Sequence, residues 1–125
     1  VKGLTPEQWK FKQAADRWSA AEVAEHITLS EDTIFGASQS ALKTPAKPHA
    51  ADAAQKDAMI LKAVPERSQK VQAPEVLKPT NKWPDPKAML KEFDTRRKKT
   101  INYVKTTQDD LRAHFIPHPI LGPMD

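Results

Sequence analysis

The sequence predicts an all-α chain, and three observations carry that reading. Helix-start signals recur along it, at Thr5-Pro6, at Ser19 with Glu22, and at Asp85-Pro86. Two long segments behind those signals carry apolar residues at three- and four-residue steps, the spacing of a helix with one apolar side. Proline-rich stretches separate the segments, and proline stops a helix because it lacks the N–H and its ring clashes with the preceding turn.

The elements follow in order. Residues 1–4 read as the tail of a preceding segment. Thr5-Pro6-Glu7-Gln8-Trp9 joins an N-cap threonine, proline at N1 and glutamine at N3. It predicts one helical turn with Trp9 pointing inward. Phe11 and Trp18 are expected to extend the same apolar patch, with 14–17 as a short loop. Ser19 and Glu22 have the spacing of a capping box, in which each side chain satisfies the other residue's backbone N–H. Trp18 stands just before the cap, where it is expected to staple against Val23. The helix so opened is predicted over about 19–42, with Val23, Ile27 and Ile34 on one face and His26 at its edge. Gly36 weakens its last third, by about 1 kcal/mol relative to alanine. Thr44-Pro45-Ala46-Lys47-Pro48 ends it.

Residues 52–63 form an alanine-rich helix candidate whose apolar side is Ala58, Met59 and Leu61, closed by Pro65. Residues 66–83 have no helical period and carry Pro74 and Pro79, with Pro84 just beyond. They predict an extended connection laid over the surface. So long a connection needs a task, and crossing from one end of a bundle to the other is the expected one. Asp85-Pro86 then opens a helix to about 105, with Leu90, Phe93, Ile101 and Val104 in its stripe and Arg97 interrupting it. Thr107 with Asp110 is a third start signal, followed by Phe115. Pro117, Pro119, Gly122 and Pro123 predict a turn-rich loop.

A chain of 125 residues suits a single domain over 1–125. With 38% hydrophobic and 29% charged residues, its core is expected to be thin. The absence of cysteine excludes disulfides and thiolate metal sites. No apolar run approaches the roughly 20 residues of a membrane span, and no signal-peptide core follows Lys2, so a cytoplasmic location is expected. The net charge of +4 comes from interspersed basic and acidic residues and does not argue for a polyanion partner. Arg96-Arg97-Lys98-Lys99 is the densest basic run. Four consecutive helical residues point around most of the circumference, so salt bridging to Glu92 and Asp94 is the preferred reading, and nucleic-acid binding ranks last. Trp9, Phe11, Trp18, Phe93 and Tyr103 are read as core rather than as base-stacking platforms.

Among the histidines, His26 is the candidate with chemical meaning. A neutral imidazole on a firmly started helix suits zinc, nickel or iron. Read alone, a helix histidine is more often a partly buried polar residue. Glu22 lies four residues before His26, but the cap is expected to occupy it. A contact behind His26 is the weaker alternative for it. His114 and His118 are also four apart. Pro117 and Pro119 rule out helical spacing there, so loop and surface roles are preferred. His49 is expected to be solvated.

Leu4-Thr5-Pro6-Glu7-Gln8-Trp9 and Arg17-Trp18-Ser19-Ala20-Ala21-Glu22-Val23-Ala24-Glu25-His26-Ile27 resemble the DinB-like family. So do the run from Arg96 to Tyr103, Thr106-Thr107-Gln108-Asp109-Asp110-Leu111-Arg112, and His118-Pro119-Ile120-Leu121-Gly122-Pro123-Met124-Asp125. The resemblance covers nearly the whole chain. It implies a DinB-like four-helix bundle with one long crossover connection. It also implies a divalent metal held by three histidines, one on the second helix and two, three or four residues apart, on the fourth. His26 matches the first of these. The other two are expected beyond Asp125. A weak internal echo, Thr5 to Ser19 and Thr107 to Asp125, likewise reads as an incomplete domain. It lacks most of the first bundle helix and all of the fourth.

The function so implied is that of a metal-dependent enzyme, a thiol S-transferase or a hydrolase. Its partner would be a small-molecule substrate, with a low-molecular-weight thiol as co-substrate in the first case. Water or thiolate activated at the metal would be the nucleophile. The alternative is a metal-free helical bundle serving as a binding or stress-response module. Uncovered apolar faces around Val23, Ile27, Leu90 and Phe93 would favour a homodimer or aggregation.

Overall fold

The computed structural model describes residues 3–66, 68, 71–118 and 121–125. Expectations for Val1, Lys2, Arg67, Gln69, Lys70, Pro119 and Ile120 lie outside the described residues. Four α-helices appear among them: α1 Pro6–Lys10, α2 Ala20–Ala41, α3 Ala53–Ala63 and α4 Pro86–Thr106. Single 3-10 turns occupy Glu75–Leu77 and Leu111–Ala113. Two short strands, β1 Ile116–His118 and β2 Gly122–Met124, pair antiparallel. None of the described helices is long and apolar enough to cross a membrane.

The chain forms two compact units. The first comprises Val1–Gly36 and Ala73–Thr107, and the second Ala37–Gln72 and Gln108–Asp125. In the first unit the start signals act as read. Gln8 N–H donates to Thr5 Oγ1 at 3.2 Å, and Thr5 N–H donates to Gln8 Oε1 at 2.9 Å. Ser19 N–H donates to Glu22 Oε2 at 2.8 Å, and Glu22 N–H donates to Ser19 Oγ at 3.2 Å. Asp85 accepts from the N–H of Ala88 at 2.9 Å, with Pro86 at the first helical position. Trp9 is fully buried, as expected, and among the described residues Met89 of α4 is the other large apolar side chain with essentially no exposure.

Other apolar expectations fail. Val23, Ile27 and Ile34 form a stripe on α2, but all three are exposed, Ile34 by 61%. The buried positions of α2 in this unit are instead Glu25 and Thr28. Successive helical residues are about 100° apart, so these two lie on a different side from the stripe. Thr28 is tolerated there because its hydroxyl donates to the Ala24 carbonyl at 2.9 Å. Phe11 is 69% exposed, so it does not join the core. Trp18 is also exposed; its ring lies against His26, with centroids 5.0 Å apart and planes at 52°. The contact seen for Trp18 is thus with the imidazole. Over residues 71–85 the 3-10 turn at Glu75–Leu77 is the one helical element and Asn81 takes a left-handed conformation, and Arg97 leaves the apolar stripe of α4 to pair with Glu31.

The second unit holds the end of α2, α3 and the chain after α4. Among its described residues Ala41 and Ala113 are the buried apolar ones. Lys47 N–H donates to the Ala113 carbonyl at 2.8 Å. Arg112 bridges α3 and the hairpin, reaching Asp57 at 2.8 Å and Asp125 at 2.7 Å. The start signal at Thr107 opens no α-helix: Thr107 caps the end of α4 instead, and only the 3-10 turn Leu111–Ala113 follows. The turn-rich loop is corrected as well, since its flanks pair as strands. Pro117 faces Pro123 across the ladder. Neither has an N–H, so they occupy an opposed pair that exchanges no backbone hydrogen bonds, as alternate pairs in an antiparallel ladder do. Gly122, with φ +74°, supplies the positive φ at the start of β2.

Candidate metal-ligand site at His26

The site is built on the first turns of α2. The capping box fixes where the helix begins, and Lys12 closes it from outside with Nζ 2.7 Å from Glu22 Oε1. Burial pushes the Glu22 carboxyl up, but the bonds from Lys12 and Ser19 outweigh it and hold it below the ordinary carboxylate value. Both Glu22 oxygens are thus engaged away from His26, in agreement with the reading that the cap occupies this residue.

His26, half-buried, meets the segment before α4. Its Nδ1 lies 2.9 Å from the carbonyl oxygen of Leu77. A carbonyl only accepts, so Nδ1 carries the proton and donates. In the neutral ring Nε2 then keeps its lone pair. Nε2 makes no hydrogen bond among the described residues, and Trp18 flanks the ring.

Glu25, beside it in sequence, holds the same segment a few residues further on. The residue is 3% exposed. Its Oε1 accepts from the Thr80 N–H at 2.8 Å and from the Thr80 hydroxyl at 3.0 Å, while Oε2 accepts from the Lys82 N–H at 3.2 Å. The intervening Asn81 has φ +61°. A left-handed residue between two amides turns both N–H groups to one side, which makes an anion-binding concavity. Here the anion is the chain's own carboxylate. Sequence reasoning placed Glu25 near His26 but gave it no role. The available signal was an acidic residue inside an otherwise uncharged helical turn, and the donors it meets, Thr80 and Lys82, lie 55 and 57 residues away.

The remaining histidines do different work. His114 Nδ1 donates to the Ala41 carbonyl at 3.1 Å, whereas His118 Nδ1 accepts from the Leu121 N–H at 3.1 Å. Both rings are thus held through Nδ1, in opposite roles and on non-helical backbone, His114 after the 3-10 turn and His118 at the end of β1 rather than in a loop. His49 is not simply solvated: its Nε2 lies 2.8 and 3.0 Å from the two oxygens of Asp110. That contact holds the Asp110 carboxyl below its ordinary value.

The basic run on α4 is paired within the chain. Arg96 meets Asp32 and Glu92, Arg97 meets Glu31 at 2.8 Å, and Lys98 meets Asp94. Lys99 lies over the Phe35 ring at 4.6 Å. The four cations are therefore divided among different partners and do not converge on one face.

The helical content and the long connection before α4 define an all-α protein of the helical-bundle class. A sequence model of the DinB superfamily matches residues 1–125, and the chain belongs to that superfamily. Searches among curated proteins and among solved structures find no match for it.

The family's metal can be tested against this donor set. His26 fits as one donor, since a ligating histidine usually gives its other ring N–H to a carbonyl or carboxylate that fixes the tautomer. Among the described residues no three histidines or carboxylates are grouped to hold an ion.

Proposed function

We propose that this chain functions as a metal-dependent enzyme, an S-transferase using a small thiol or a hydrolase, with His26 as one imidazole of a three-histidine site. The observation that supports this reading is the bond from His26 Nδ1 to the Leu77 carbonyl. It keeps Nε2 as the free lone-pair nitrogen and limits rotation of the ring. The Trp18 ring lies beside the imidazole, with centroids 5.0 Å apart. A divalent ion at Nε2 would supply Lewis acidity toward water or a thiol. The reading requires two further imidazoles.

Metal analysis of the purified protein, repeated on His26→Ala, tests it. The expected result is a bound divalent ion in the parent protein and its loss in the variant. Unchanged metal content in His26→Ala would remove His26 from the site. A parent protein that takes up no zinc, nickel or iron after reconstitution would leave the metal-free bundle as the function class.

A further inference from the structure

We propose that Glu25 is the positioning residue for His26: by gathering the Thr80 and Lys82 N–H groups it fixes the segment that carries the Leu77 carbonyl, and so sets which nitrogen of His26 is open. The relevance to metal rests on the function proposed above. The link between Glu25 and the imidazole does not.

Two adjacent residues of α2 grip one short length of chain. His26 holds it at Leu77, and Glu25 holds it at Thr80 and Lys82. Glu25 is buried, and both of its oxygens are used. Charge-assisted bonds to a carboxylate are roughly twice as strong as neutral ones, so the grip at 80–82 is the firmer of the two. The bond at Leu77 is a single neutral one between an imidazole and a carbonyl. Leu77 lies three positions before Thr80 and ends the 3-10 turn Glu75–Leu77, so its carbonyl sits where that turn and the held turn at 80–82 together place it. Asn81 is the hinge of that turn. Its φ of +61° suits asparagine or glycine and is strained for a β-branched side chain.

With Glu25 removed, the amides at 80 and 82 turn to solvent, because both residues are exposed. The carbonyl at 77 then loses its fixed position. The imidazole is free to protonate at Nε2, which takes away the lone pair that a metal would use.

The experiment reads the tautomer without any metal. Histidine side chains are labelled with nitrogen-15 in the metal-free protein. Long-range proton–nitrogen correlations are recorded at about pH 8.5, where a free imidazole is neutral. The parent protein should show His26 protonated at Nδ1 only. Glu25→Ala should show a mixture of the two tautomers, and Glu25→Gln, which keeps one accepting oxygen, an intermediate pattern. Asn81→Val should shift the pattern in the same direction as Glu25→Ala, and Asn81→Gly should leave it unchanged. Asn81 is exposed, so its pair of variants decides the matter if Glu25→Ala does not fold. A folded Glu25→Ala or Asn81→Val with the parent's pattern at His26 would overturn the proposal.

Titration with Zn2+ gives the second readout. Glu25→Ala should bind it about 10- to 100-fold more weakly, the usual loss when a group supporting a ligand is removed. A tautomer shift in a protein that never takes up Zn2+ would reject the metal function and keep the positioning link. Zn2+ uptake with an unmoved tautomer would do the reverse.

Discussion

Replacing Glu25 with alanine should cost about 2–4 kcal/mol of stability. The figure follows from what the carboxylate holds. It accepts three hydrogen bonds, two from backbone amides and one from a hydroxyl. Bonds to a charged group are each worth about 1.5–3 kcal/mol net, so their simple sum is an upper bound. Two effects lower it. Thr80 and Lys82 are exposed, so their freed donors regain water. Removing a nearly buried carboxylate also returns part of its desolvation cost. Urea denaturation followed by circular dichroism measures the net change. Amide exchange at Thr80 and Lys82 localises it, since both amides should lose protection in the variant while those in the middle of α4 keep theirs. Glu25→Gln should lose roughly half as much, because its amide NH2 cannot accept from Lys82. A change in Glu25→Ala below about 0.5 kcal/mol would refute the reasoning. So would a Glu25→Met variant more stable than the parent, because burial of the charge would then outweigh everything it binds.

Three other predictions concern local features. Gly36→Ala should stabilise the protein by up to about 1 kcal/mol in the same denaturation assay, since Gly36 lies inside α2 with no positive φ and its added Cβ meets open space. Ser19→Ala should cost about 1 kcal/mol and lower the helicity at the start of α2, because one member of the capping box is lost. For Asp110 the folded-state carboxyl titrates below its ordinary value of 3.8, so its contribution is complete above that value and disappears as the pH falls through the lowered one. The difference in melting temperature between the parent and Asp110→Asn should accordingly be present at neutral pH and vanish in strong acid.

Helix beginnings were legible because capping is local. Thr5 with Gln8, Ser19 with Glu22 and Asp85 before Pro86 bond within three residues, and each opens a helix within a residue of the expected place. The side that a helix buries was not legible. The stripe Val23, Ile27 and Ile34 has the right period, yet the chain buries Glu25 and Thr28 instead. Those two are acceptable inside only because of partners: the Ala24 carbonyl for Thr28, and Thr80 and Lys82 for Glu25. Apolar periodicity has no access to such partners. The hairpin was missed for a related reason. Prolines at 117 and 123 were read as breaks, but opposite one another they occupy a position in the ladder that requires no donor.

His26 shows how far a single residue can be read. Its type, its helix and its place beside the apolar stripe come from sequence. Which nitrogen it commits does not, because the deciding carbonyl is 51 residues away at Leu77. That commitment separates two kinds of half-buried histidine. A ring whose two nitrogens are both satisfied by the fold serves packing, and a metal would have to break a bond to use it. At His26 one nitrogen is spent on the backbone and the other makes no hydrogen bond among the described residues, an arrangement open to an ion. The pairing with Glu25 strengthens this distinction. A carboxylate buried to hold a loop already secured by packing would be a costly redundancy. Placed where it steadies the one carbonyl that orients the imidazole, it has a reason to be buried.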